Sequence, residues 1–261
     1  LLHCYRTAAP LSVYTVLFKQ FLQKAMTGAE IRQNAQNDVQ QFKALMQSKI
    51  FSHDWFTGKL AYWVEAVAKS KINKDKPLNI LEIGSWEGMS ALFILNYFPN
   101  AALTCVDTWK GGDEYNDQNG VSAEILGVIE EKFDSNLAAY KNRITKFKGT
   151  SWEFFSSCDK KNQFDIIYVD GSHYCDDVLI DALKGFELLK MAGLMIFDDY
   201  FWRYYTAPID NPAGPINAFL KLKKNHCEIV SLHDYLIIRK ADNDIRATSG
   251  VLPAGLFAGA R

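Results

Sequence analysis

Phe164-Asp165-Ile166-Ile167-Tyr168-Val169-Asp170-Gly171-Ser172-His173 is the stretch that decides the fold. An apolar run that stops abruptly at an acid reads as a buried β-strand emerging at a sheet edge. Gly193-Leu194-Met195-Ile196-Phe197-Asp198-Asp199-Tyr200 repeats the pattern, and Val178 to Lys190 between them reads as a helix. Two strands joined this way run parallel and end on the same edge, where open parallel sheets bind ligands. Asp170, His173, Asp198 and Asp199 then converge in one crevice, a set suited to one hard divalent cation and one general base. Taken singly, each has a plainer reading: Asp170-Gly171 a turn, Ser172 or Asp176 a helix cap, His173 a structural imidazole, Asp198-Asp199 solvated loop charges. Asp176, Asp177 and Asp181 read as helix-start charges.

Working outward, the same alternation continues on both sides. Leu78–Ile83, Ala102–Val106 and Ile144–Lys148 read as strands, and Ser90–Tyr97, Ala123–Asn136 and Trp152–Ser157 as helices. Pro215–Asn225 reads as a helix, and Cys227–Leu232 with Tyr235–Arg239 as a hairpin-like pair around His233-Asp234. This rhythm predicts a largely parallel α/β sheet covered on both faces. Ahead of it lie helical patterns at Leu11–Leu22, Gln33–Gln47 and Gly58–Ser70, the last with Leu60, Trp63, Val64 and Val67 on one face. The expected organisation is a helical N-terminal extension over 1–70, the α/β domain over 71–240 and a loose tail over 241–261.

The 261 residues are 48% hydrophobic, enough for a substantial core, and the net charge of −1 gives no field that favours nucleic acid or an anionic membrane. Five scattered cysteines without a CxxC pair argue against a disulfide scaffold and a zinc site and for a reducing, cytoplasmic setting. Leu11–Leu22 is interrupted by Lys19 and Gln20, too short and polar for a membrane span. The Lys24-Ala25-Met26 that follows does not favour a signal peptide.

Leu81-Glu82-Ile83-Gly84-Ser85-Trp86-Glu87-Gly88-Met89-Ser90 has the form strand, Gly, turn, Gly, helix. Trp86 stands where a dinucleotide fingerprint needs its second glycine, which disfavours a pyrophosphate ligand and an NAD-dependent reductase. A ligand held through amino-acid and ribose groups is compatible, and the helix start near Gly88 offers N–H groups to a carboxylate. Asp107, ending the second strand, is placed to accept hydrogen bonds from ribose hydroxyls.

These residues resemble a class I S-adenosylmethionine-dependent methyltransferase over roughly Leu78 to Lys240. Glu82-Ile83-Gly84-Ser85-Trp86-Glu87-Gly88 is similar to that family's glycine motif in its relaxed form. Asp107 matches its ribose acid. Gly149-Thr150-Ser151-Trp152 resembles the adenine-holding turn of catechol-type O-methyltransferases. In that group an Asp after the fourth strand and an acidic pair after the fifth hold magnesium, positions that Asp170, Asp198 and Asp199 occupy. Asp170 with His173 is closer to macrocin-type, sugar-directed enzymes, in which that His is the proposed base. The resemblance implies a Rossmann-like doubly wound sheet, mostly parallel with a C-terminal antiparallel strand pair. It implies S-adenosylmethionine bound by Glu82, Gly84, Ser85, Gly88, Asp107, Thr108, Ser151, Trp152 and Asp170. Mg²⁺ or another divalent cation would sit on Asp170, Asp198 and Asp199, with His173 and Asp170 catalytic.

The leading expectation is therefore a metal-assisted O-methyltransferase acting on a hydroxyl of a small molecule, a sugar diol or catechol. Competing readings are a metal-independent enzyme using His173 alone or acting on nitrogen, and an idle cofactor- or partner-binding domain. A nucleic-acid methyltransferase with a Lys-Asp-Lys-Glu tetrad is disfavoured, because Asp198-Asp199 takes the place of a lysine and no basic stripe is present. Tyr200–Tyr205, six large side chains in one loop, supplies candidates for an acceptor wall. The polar loop 110–120 is long enough to close over substrate, with Asp113, Glu114 and Asp117 as solvated acids. Self-association through the N-terminal helices is a further expectation.

Overall fold

The computed structural model describes residues 2–22, 28–112, 121–159, 161–233 and 235–241. Lys24-Ala25-Met26, the acids Asp113, Glu114 and Asp117, Asp234, and the tail from 242 onward lie outside the described residues. The strands are β1 (Asn79–Ile83), β2 (Ala102–Asp107), β3 (Ile144–Lys148), β4 (Phe164–Val169), β5 (Leu189–Phe197), β6 (Cys227–Leu232) and β7 (Leu236–Lys240). They form one sheet in the order β3-β2-β1-β4-β5-β7-β6. β1 to β5 pair in parallel, while β7 runs antiparallel to β5 and β6. The expected doubly wound sheet with its antiparallel C-terminal pair is present. Its strand order reverses between β1 and β4, so both glycine-bearing and acid-bearing turns open onto one crevice.

The helices are α1 (Leu2–Arg6), α2 (Leu11–Leu22), α3 (Gly28–Asn34), α4 (Gln36–Met46), α5 (Leu60–Ser70), α6 (Met89–Tyr97), α7 (Ala123–Leu126), α8 (Ile129–Leu137), α9 (Ser151–Ser156), α10 (Cys175–Leu188) and α11 (Ala213–Leu222). Side chains along a strand alternate between faces, and here each face meets its own core. Ile166 and Tyr168 of β4 pack with Trp63, Phe93 and Phe42, while Ile167 and Val169 pack with Phe186, Phe219 and Val13. The N-terminal helices are thus split, α3–α5 contributing to the first core and α1 and α2 to the second. Trp63 is fully buried, and burial of a side chain of this size contributes roughly 3 kcal/mol.

Three expected elements differ from the structure. The helix read over 123–136 is broken at Gly127-Val128 into α7 and α8, glycine being a weak helix former. The helix read over 33–47 is likewise divided at Ala35. β5 starts at Leu189 rather than Leu194, because a register shift opposite Phe164 and Ile166, with Ala192 at φ 62°, lets the chain join the sheet early.

Candidate active site

The turn after β1 is built around a close approach. Gly84 has φ 86°, and a Cβ there would lie 1.9 Å from the carbonyl oxygen of Asp170. The glycine is therefore required by the β4 turn packed against it, apart from any ligand. Gly88, also left-handed at φ 84°, starts α6, and a Cβ on it would meet Leu137 at 2.9 Å. Between them Trp86 takes φ 47°, a conformation that costs a non-glycine residue about 1–2 kcal/mol.

Asp107 compensates for that turn. Its Oδ2 accepts from the N–H groups of Ser85 (2.8 Å) and Trp86 (2.7 Å), and its Oδ1 from Trp109 N–H (2.7 Å). Burial raises its pKa against the pull of these donors. The Trp109 indole N–H donates to the Trp86 carbonyl at 2.9 Å, closing the same knot. The residue read as a ribose acceptor thus sits at the expected edge but spends most of its lone pairs on its own backbone. Thr108 Oγ1 accepts from Lys110 N–H. Glu82 is fully buried, accepts from the Ser85 hydroxyl at 2.6 Å, and is pushed by burial up to about 7.

On the third turn Thr150 and Glu153 form a reciprocal capping box at the start of α9, which explains the local Thr-Ser-Trp-Glu sequence. Ser151 is half-buried there and Trp152 is exposed. Asp181, read as a helix-start charge, is instead 1% exposed within α10. Its Oδ1 has no hydrogen-bond partner among the described residues. Burial pushes its pKa up to about 7 against the pull of the Ser151 hydroxyl. The helix face that carries Asp181 turns toward the sheet, which sequence position alone does not reveal. Because its folded pKa is raised, the stability it allows is complete below about pH 4 and is lost as pH rises toward 7. Asp181→Asn removes that loss. Its stability advantage over wild type should widen by roughly 2–3 kcal/mol between pH 5 and pH 8. Urea unfolding at the two pH values measures this.

At the ends of β4 and β5 the structure brings Asp170, Asp198 and Asp199 together, with one carboxylate oxygen from each lying within 4.8 Å of the others. Tyr168 places its hydroxyl 2.8 Å from both Asp170 Oδ2 and Asp198 Oδ2. One hydroxyl proton serves one carboxylate, so the second contact needs a proton on a carboxyl. This agrees with the raised pKa of both acids, driven by burial and then by neighbouring carboxylates. Asp199 behaves oppositely. Burial pushes it up, but His173 and Lys59 outweigh burial and hold it below the ordinary range. Asp199 also sits at φ 53°, a strained backbone fixed by its own N–H bonded to Asp198 Oδ1 at 2.8 Å.

His173 Nε2 lies 3.0 Å from Asp199 Oδ2, and its ring stacks on Trp202 at 4.3 Å between centroids. Trp202 stacks on Tyr204, Tyr205 meets both edge-on and stacks on Tyr174, and Tyr200 is fully buried with its hydroxyl on Asn217. The loop thus divides between core and crevice wall. Lys59 is the functional candidate that the sequence reading missed. Its Nζ lies 2.6 Å from Asp198 Oδ1 and 3.3 Å from Asp199 Oδ1. Burial disfavours its charge, but Asp198, Asp199 and Asp170 outweigh burial and raise its pKa. No motif marks a lone lysine in the connection before α5.

Residues 81–200 match the family model described as a methyltransferase domain. No curated protein matches the chain by sequence. Its fold is shared with several solved methyltransferase structures at low identity. A putative O-methyltransferase from Klebsiella pneumoniae is 14% identical, covers 89% of this chain and 100% of its own, and has a TM-score of 0.52. MycE, a methyltransferase of the mycinamycin biosynthetic pathway solved with Mg, SAH and mycinamycin VI, is 17% identical with a TM-score of 0.53. That match covers 84% of this chain and 57% of MycE. An O-methyltransferase from Bacillus cereus in complex with SAH is 13% identical, covers 79% and 91% of the two chains, and has a TM-score of 0.52. Among the described residues, no helix is long and apolar enough to cross a membrane.

Proposed function

We propose that this methyltransferase transfers a methyl group from S-adenosylmethionine to a hydroxyl of a small molecule bearing neighbouring oxygens, with a divalent cation on Asp170, Asp198 and Asp199. The observation that carries the reading is His173 held at 3.0 Å from Asp199 beside the three-carboxylate cluster. The donor set fits such a cation: the oxygens are hard and close together, and those of Asp198 and Asp199 already face the Lys59 ammonium. The cofactor residues would be Glu82, Gly84, Ser85, Gly88, Asp107, Thr108, Ser151, Trp152 and Asp170. The buried Asp181 Oδ1 beside Ser151, without a hydrogen-bond partner among the described residues, gives that edge a polar group with capacity to spare.

Methyl transfer from a sulfonium is an in-line displacement, in which the oxygen–methyl bond forms as the sulfur–methyl bond breaks and the hydroxyl proton must leave. When bound, a divalent cation supplies Lewis-acid stabilisation of the acceptor oxygen. His173 does the proton work. Its imidazole, beside Asp199, takes up the hydroxyl proton. Asp199 then faces the imidazolium and stabilises it, and Trp202 fixes the ring plane. The aromatic wall of Trp202, Tyr204, Tyr205 and Tyr174 suits a flat ring or the apolar face of a sugar. The five cysteines are unpaired, which supports a cytoplasmic setting, and self-association through the N-terminal helices belongs to the same proposal.

Turnover is followed as S-adenosylhomocysteine release on a panel of catechols and sugar diols, with Mg²⁺ or with EDTA. Asp199→Ala should remove the metal-dependent part of the rate while cofactor binding by calorimetry persists. Wild-type turnover that is indifferent to EDTA on every acceptor would instead support the metal-independent enzyme, a reading that the Lys59 ion pairs favour.

A further inference from the structure

The connection before α5 runs like a strap along the crevice. At one end Ser52 donates from its backbone N–H (2.6 Å) and its hydroxyl (2.7 Å) to Glu87, in the glycine turn. Lys132 pairs with the same carboxylate at 2.8 Å, so this end is anchored. Trp55 then packs against Trp86 at 5.6 Å between ring centroids. Thr57 N–H bonds Asp54 at 2.8 Å, turning the chain. At the other end Lys59 reaches Asp198 and Asp199 with its ammonium.

Those contacts are made with Oδ1 of each acid, oxygens that a divalent ion would also need. Two cations on the same pair of oxygens repel strongly in a poorly solvated site. Entry of one therefore requires withdrawal of the other. We propose that Lys59 is a tethered stand-in for the divalent ion, neutralising Asp198 and Asp199 in its absence and competing with it for them. Lys59 thereby sets the ion affinity of the site and links ion entry to the strap that touches the glycine turn. The inference rests on the metal reading of Asp170, Asp198 and Asp199.

The test is calorimetric titration of the full chain with Mn²⁺, free of any acceptor, for wild type, Lys59→Met, Lys59→Gln, Lys59→Arg and Asp199→Ala. Circular dichroism first establishes that each is folded, and the two neutral variants stand in for one another if one is not. Both neutral variants should bind Mn²⁺ at least about tenfold more tightly than wild type, with Lys59→Arg close to wild type. Equal or weaker binding in the neutral variants, with loss in Asp199→Ala, overturns the role of Lys59 and leaves the metal site standing. Absence of Mn²⁺ binding in wild type and in the folded neutral variants overturns both.

Discussion

His173→Ala should lower kcat by about 10²- to 10⁴-fold, the usual contribution of a positioned general base. The geometry specifies how the loss should appear. His173 contacts Asp199 through one ring nitrogen and stacks on Trp202, so its removal deletes a proton acceptor from one side of the carboxylate cluster. Affinity for S-adenosylmethionine, measured by calorimetry, should stay within a few-fold of wild type, since His173 stands after β4 and meets Asp199 and Trp202. Ion binding should persist, because Asp170, Asp198 and Asp199 are intact. The loss should shrink as the assay pH rises and the acceptor hydroxyl ionises without help. A rate equal to wild type at neutral pH would remove His173 from the mechanism and leave its contact with Asp199 as packing.

Gly84→Ala should destabilise the fold by about 3–5 kcal/mol, combining left-handed strain with overpacking against backbone. The added methyl would meet the Asp170 carbonyl at 1.9 Å, its carbon at 2.4 Å and Gly171 Cα at 2.7 Å, while φ stays near 86°. None of these is the mobile end of a side chain, so either the β1 turn or the β4 turn must move. A domain of this kind has a total stability of roughly 5–15 kcal/mol, so the variant should melt many degrees lower or fail to accumulate. The residue also ties the two halves of the site together. A shift of the Asp170 backbone displaces a carboxylate of the cluster, so any folded fraction should bind Mn²⁺ more weakly as well. Denaturant unfolding that places Gly84→Ala within 1 kcal/mol of wild type would show that the two turns yield more easily than their contact suggests.

The difference between these residues shows what can be read from a chain. The placement of His173, Asp170, Asp198 and Asp199 on one edge is legible because each stands within a few positions of the end of an apolar run. A strand's end is a local property, and parallel pairing places such ends on one edge. Asp107 is legible in place, but its bonds from Ser85 and Trp86 are not, because those donors are reached only when β2 lies beside β1. Tyr168 looked like one more strand residue until its hydroxyl was found between two carboxylates from different strands. Asp181 was misread, since acids near a helix start are usually solvated and only the packing of α10 on the sheet buries this one.

The sequence by itself determined the alternation of strands and helices, the doubly wound sheet, and the edge at which the opening stretch, Phe164 to His173, meets Phe197-Asp198-Asp199. Those follow from periodicity and strand-ending acids, which act over a few residues. Only the tertiary structure decided what neutralises that edge. Lys59 reaches Asp198 and Asp199 from an element far earlier in the chain, and its pairing is set by how α5 packs against β6 and against Tyr168 of β4. Long-range electrostatics leave no periodic mark on a sequence. Their partners are chosen by the packed core, and here that choice places a cation among the acids read as metal ligands.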